Sequence, residues 1–140
     1  MRTKYPLIFL AIAILIPVAI LLTGFTNKNP LKKNESKMVR HIVIFKYKSS
    51  ATEAQIKQVT EAFAALKNKI PGIVSFESGV NSSTENLNKG FTHIYQLTFK
   101  NEKARDQYLP HPDHEKFGDL LGKLGITEEV FVVDYTPSEI

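Results

Sequence analysis

Strand–helix–strand–strand–helix–strand is the order this sequence predicts: an α+β, ferredoxin-like βαββαβ domain, one antiparallel sheet carrying helices on one face. Three observations predict it. Two stretches alternate their side chains with period two, and a run after Thr52 repeats apolar residues every three or four positions. A second helical run is split at Pro110-His111-Pro112. The domain takes residues 38–137, after an apolar segment at 1–26 and a polar linker at 27–37, with a tail at 138–140.

In the first strand, Val39 to Lys48, His41, Val43, Phe45 and Tyr47 share one face while Ile42 and Ile44 take the other. Thr52 and Gln55 form a capping-box signature, each side chain placed to reach a backbone amide left free at a helix start. Ile56, Val59, Phe63, Leu66 and Ile70 then make one apolar stripe, which Pro71-Gly72 ends. Ile73 to Gly79 predicts a short strand and Val80 to Gly90 a polar loop. In the strand Phe91 to Phe99, His93, Tyr95, Leu97 and Phe99 share a face with Phe91. Asn101 caps a short helix ending at Tyr108 or Leu109. Asp113 starts another, with Phe117, Leu120, Leu121 and Leu124 as its core stripe and Gly125 as its stop. Val130 to Tyr135 closes the sheet. Apolar residues on both faces of the first and last strands leave one sheet face needing cover, which a second copy supplies most economically; a homodimer with sheets face to face is expected.

Ahead of the domain, Arg2 and Lys4 precede an apolar run from Leu7 to Leu22. With its flanks, residues 5–25 reach the roughly 20 residues of a membrane span. A cleaved signal peptide and an uncleaved signal anchor both remain open; both make the chain membrane-anchored or secreted, the domain outside the cytoplasm.

The chain has 18 Lys and Arg against 14 Asp and Glu, but the excess sits in residues 1–37. The domain is nearly balanced, so no nucleic-acid footprint is expected. There is no cysteine, hence no disulfide framework, thiolate metal site or cysteine nucleophile. His111 and His114 are spaced i, i+3, yet no glutamate stands at metalloprotease spacing, so neither a metal nor a cofactor is expected. Phosphate loops and nucleophile elbows are absent.

Tyr108 and His114 flank the proline-broken turn. A partly desolvated histidine at the start of a helix suits a general base, and a tyrosine hydroxyl suits a donor to a developing enolate oxygen. The bland alternative is a hydrogen-bonded histidine beside a packed tyrosine. His41 and His93 face the core from neighbouring antiparallel strands, both near their strand starts, which sets them towards opposite ends of the sheet. His93 is the stronger pocket candidate of the two.

Met38-Val39-Arg40-His41-Ile42-Val43, Ile70-Pro71-Gly72-Ile73, Gly90-Phe91-Thr92-His93, Tyr108-Leu109-Pro110-His111-Pro112-Asp113-His114 and Val133-Asp134-Tyr135 resemble the stress-responsive A/B barrel (Dabb) family. The resemblance covers essentially all of 38–140 and implies a dimeric α+β barrel. Within the family, the chain is similar to plant polyketide cyclases that perform an aldol condensation without a cofactor. The tyrosine and histidine of that reaction correspond to Tyr108 and His114, with His41 and His93 matching two further pocket histidines. Phe63 joins them as an apolar pocket wall. Three functions follow as expectations: a binder of a small apolar molecule, a cofactor-free cyclase or lyase with His114 as base and Tyr108 as acid, and a structural stress protein with a closed core.

Overall fold

A computed structural model describes residues 37–138. The predicted membrane or signal segment and all but the last residue of the linker lie outside the described residues. Among the described residues, no helix is long and apolar enough to cross a membrane.

The elements are β1 (Val39–Tyr47), α1 (Glu53–Lys69), β2 (Ile73–Val80), β3 (His93–Phe99), α2 (Glu102–Tyr108), α3 (Pro112–Leu124) and β4 (Thr127–Tyr135). The sheet runs β2-β3-β1-β4, and every neighbouring pair is antiparallel. This is the ferredoxin-like arrangement. Along β1, Val39, His41, Val43 and Phe45 are buried beneath the helices, and Arg40, Ile42 and Ile44 are half-buried on the opposite face.

Local chemistry fixes the helix ends. The Thr52 hydroxyl accepts from the Gln55 amide while the Gln55 side chain accepts from the Thr52 amide, so the capping box is complete. At Gly72, φ is +98° and an added Cβ would stand 2.6 Å from that of Ala104, so only glycine lets the start of α2 approach this turn. The Asn101 carboxamide oxygen accepts from Ala104 N at 2.8 Å and caps α2. His111 caps α3: its Nδ1 accepts from Asp113 N at 3.1 Å, and Pro112 takes the first helical position, where its missing N–H is harmless. The helix thus starts one residue before the Asp113 that the sequence predicts. Gly125, left-handed at φ +59°, ends it.

β1 and β2 end within one residue of the sequence reading, and the other two strands begin elsewhere. β3 begins at His93 rather than Phe91, because the Phe91 amide is spent in the preceding turn, donating to Asn88 O at 2.8 Å. β4 begins at Thr127 rather than Val130. Glu128 and Glu129 hide its alternation, and both pair with Lys46 of β1, at 2.8 and 2.9 Å.

An aromatic cluster fills the middle of the core. Phe63 stacks on Phe117 at 4.5 Å between centroids and lies 5.3 Å from Tyr95 and 5.5 Å from Phe76. On the other sheet face, Phe131, Val133 and Tyr135 stand exposed next to Ile42 and Ile44. That contiguous apolar strip is of the kind that marks an interaction surface.

Candidate functional site

The β1–β3 register separates the histidines. His41 pairs with Leu97 and His93 with Phe45, so the two stand four strand positions apart, roughly 13 Å along the sheet. Each end has its own cluster of polar side chains, and Phe63 with its neighbours lies between them.

At the first end, Tyr108 is fully buried. Its ring lies 4.2 Å from that of His114, 5.7 Å from that of His41 and 5.0 Å from that of Phe99. The structure therefore brings His41, not His93, to the Tyr108–His114 pair, although His93 is the stronger candidate by sequence. His114 is half-exposed; its Nδ1–H donates to Leu109 O at 2.9 Å, which leaves Nε2 as the acceptor nitrogen. His41 is held differently, its Nδ1–H donating to Asp134 Oδ1 at 2.6 Å. The other Asp134 oxygen accepts from the Arg105 guanidinium, and Arg105 Nε also donates to Asp106 at 2.7 Å. Burial, and secondarily the charge of Asp134, push the Tyr108 phenol well above its ordinary range, so it is a donor throughout physiological pH. Yet that hydroxyl has no hydrogen-bond partner among the described residues. A buried unmade hydrogen bond costs about 1–3 kcal/mol, which a ligand oxygen would recover. A small cavity of about 170 Å³ opens beside Arg105 and Asp134, with Val39 and Tyr135 also lining it.

At the second end the hydroxyls are all engaged. Thr60 donates to Ile56 O at 3.0 Å, so its oxygen must accept from the Tyr95 hydroxyl at 2.9 Å. Tyr95 in turn accepts from Tyr47 at 3.1 Å. Burial first, then this bond, raise the Tyr47 phenol far above its usual range. The His93 ring meets Tyr47 edge-on at 4.9 Å, its Nδ1 is 2.9 Å from the Thr92 hydroxyl, and burial lowers its pKa below 6.5. Beside this group lies a cleft of about 470 Å³, between α1 and the β2–β3 pair. Ile56, Thr60, Tyr95 and His93 line it, and Glu53 and Lys57 stand at its rim. Phe63 does not line it; it is buried in the central cluster.

The cleft beside His93 and the Tyr108–His114 pair are thus at different ends, and a further open space of about 540 Å³, lined by Asn101, Glu102, Lys103 and Thr136, lies near the start of α2. Asp134 and Arg105 stand out only in the structure. Their signal in the sequence is faint: Arg105 is one helical turn before Tyr108, and Asp134 faces His41 only once the register is known. Among the described residues no cluster of three or more His, Asp or Glu could hold a metal ion.

The fold and these clusters define a ferredoxin-like α+β domain with histidine–tyrosine walls. Residues 39–137 match the stress responsive A/B barrel domain (Dabb), and the chain belongs to that family. It is 32% identical over 99 residues to olivetolic acid cyclase of Cannabis sativa, covering 71% of this chain and 96% of that protein. Its structure is similar to that of hydroxynitrile lyase from Passiflora edulis, with TM-score 0.67 and 27% identity over 74% of this chain and 96% of that one. A dimeric ferredoxin-like protein of unknown function from Jannaschia sp. CCS1 gives TM-score 0.58 and 25% identity over 71% of this chain and 99% of that one.

Proposed function

We propose that this chain is a dimeric A/B barrel domain that binds a small, largely apolar molecule in the cleft between α1 and β2–β3, with His93 as its polar contact. The carrying observation is the cleft of about 470 Å³. Small-molecule sites run to roughly 300–1,000 Å³ and combine apolar walls with a few fixed polar groups. Tyr95, Thr60 and Tyr47, locked by their hydrogen-bond chain, give a rigid wall. A neutral His93 offers Nε2 to a ligand hydroxyl. Titration of the full-length chain with a panel of small aromatic alcohols and ketones should raise the melting temperature of the wild type. Ile56→Trp, whose indole intrudes into the cleft, should show a much smaller shift. Equal shifts in both proteins would place binding elsewhere and end this reading.

A second copy covers the strip of Phe131, Val133 and Ile42. The dimeric similar structure supports this assembly. A monomer in sedimentation at micromolar concentration would remove it. Residues 5–25 tether the domain to a membrane or export it, the domain lying outside the cytoplasm; their apolar length and the preceding Arg2 and Lys4 support this. Protease protection in intact cells tests it, and a protected domain would contradict it.

The orphan Tyr108 hydroxyl favours a second reading, cofactor-free lyase or cyclase chemistry. In a cyclase step His114 Nε2 takes a proton from a carbon next to a carbonyl while Tyr108 donates to the carbonyl oxygen that gains charge. In a lyase step it takes the hydroxyl proton of a hydroxynitrile, the carbonyl forms as the bond to the nitrile carbon breaks, and the departing cyanide carries the electron pair and takes up the proton. The olivetolic acid cyclase and hydroxynitrile lyase relatives support it. Turnover of poly-β-ketones or hydroxynitriles should fall by about 10²–10⁴ in His114→Ala and Tyr108→Phe. Unchanged turnover in both variants would exclude the pair from the chemistry.

A further inference from the structure

We infer that Arg105, acting through Asp134, is a positioning residue that holds His41 in the Nδ1–H tautomer, making His41 a second proton acceptor at the Tyr108 site. The proton-transfer part rests on the lyase or cyclase reading; the positioning part stands on geometry alone.

The geometry comes from three elements. His41 of β1 and Asp134 of β4 are register partners, so their side chains leave the same face of the sheet as neighbours. Their contact, 2.6 Å from Nδ1 to Oδ1, is a short charge-assisted hydrogen bond. A carboxylate can only accept, so Nδ1 must carry the proton, and in the neutral ring the lone pair is on Nε2. His41 is 5% exposed, and its ring makes no other hydrogen bond among the described residues. It sits edge-on to Tyr108, which places its imidazole beside the unpartnered hydroxyl's ring.

Arg105 supplies the third part. It lies one turn before Tyr108 on α2, and its guanidinium occupies the Asp134 oxygen that His41 does not use. With both oxygens engaged, Asp134 has little freedom to rotate away from His41. The same contact ties the helix bearing Tyr108 to the strand bearing Asp134, so acid and imidazole are positioned by one charged chain. A proton taken from a bound molecule by His41 Nε2 would leave the electron pair on that molecule. The resulting imidazolium would lie against the Asp134 carboxylate, and the proton would return by the same route.

Nitrogen-15 spectra of the histidine rings in the full-length chain test this directly. In the wild type, His41 should show a protonated Nδ1 and an unprotonated Nε2. Arg105→Gln should broaden His41 or convert it to a mixture of tautomers, and Arg105→Lys should largely restore it. Asp134→Asn, whose amide can donate to Nδ1, should move it towards Nε2–H. A wild-type His41 with Nε2–H overturns the inference, as does one left unaltered in Arg105→Gln, whatever the turnover assays give. Tyr108→Phe with full turnover on poly-β-ketones and hydroxynitriles instead overturns the proton-transfer reading while the His41 tautomer stands, so the two failures are distinguishable. Unchanged near-ultraviolet dichroism in each variant establishes that the fold is intact.

Discussion

The two ends of this sheet are built from the same residue types to opposite effect. At the His93 end, Tyr47, Tyr95 and Thr60 satisfy one another, and a cleft of about 470 Å³ lies alongside. At the His41 end, a tyrosine is buried with its hydroxyl unmatched, charges converge on Asp134, and the neighbouring cavity is about 170 Å³. The first is a finished wall beside an apolar-walled cleft; the second is an unfinished polar cluster. A satisfied wall beside a cleft and a set of unmatched polar groups are separate properties, and here they occupy different ends of one core.

Phe63 offers the largest break in that comparison. It packs between the two ends, touching Tyr95 on one side and Phe117 of α3 on the other. Phe63→Ala should cost about 3–5 kcal/mol in urea unfolding by leaving a cavity that the surrounding rings cannot close. A loss below about 1 kcal/mol would mean that the aromatic cluster is loosely packed and the ends are not separated by a solid core.

The tyrosine hydroxyls give the next effect, and its sign differs between the ends. Tyr95→Phe leaves the Tyr47 hydroxyl without its acceptor and takes one of the two bonds of Thr60, and should destabilise by about 1–3 kcal/mol. Tyr108→Phe removes a buried group with nothing to lose, and its stability should be unchanged or higher by up to about 1 kcal/mol. Equal losses in the two variants would erase the distinction.

The smallest effect is the pH dependence at His93. Its folded-state pKa lies below 6.5 because burial disfavours the charged ring. The unfolded chain therefore binds the proton more readily, and stability falls as pH drops through 6.5 towards the folded value. Above 6.5 this contribution is fully present and flat. His93→Gln should have a shallower dependence of the urea midpoint on pH than wild type between about pH 7.5 and 5.5. Identical slopes would show that His93 is not the group responsible.

Much of the fold was legible because it depends on local periodicity. The Ile56–Ile70 stripe, the Thr52–Gln55 box, the Asn101 cap and the Gly125 stop are written within a few residues of where they act. The start of β4 was not, because Glu128 and Glu129 break alternation on an edge strand and are stabilised by Lys46, distant in sequence. The site was legible in part for the same reason. Tyr108 and His114 are close in the chain, so their proximity was readable. The His41–Asp134 contact spans 93 residues and exists only through strand register. Nor could spacing reveal that Phe63, on the core stripe, would be consumed in packing against Phe117 and Tyr95.

The central claim is that a small molecule occupies the cleft at the His93 end. Native mass spectrometry of the full-length chain, purified without denaturation, tests it against the Ile56→Trp variant prepared in the same way. The expected result is a reproducible small-molecule mass bound to the wild type, absent from Ile56→Trp and retained by Tyr108→Phe. A mass retained by Ile56→Trp but lost from Tyr108→Phe would place the ligand at the other end and contradict the account.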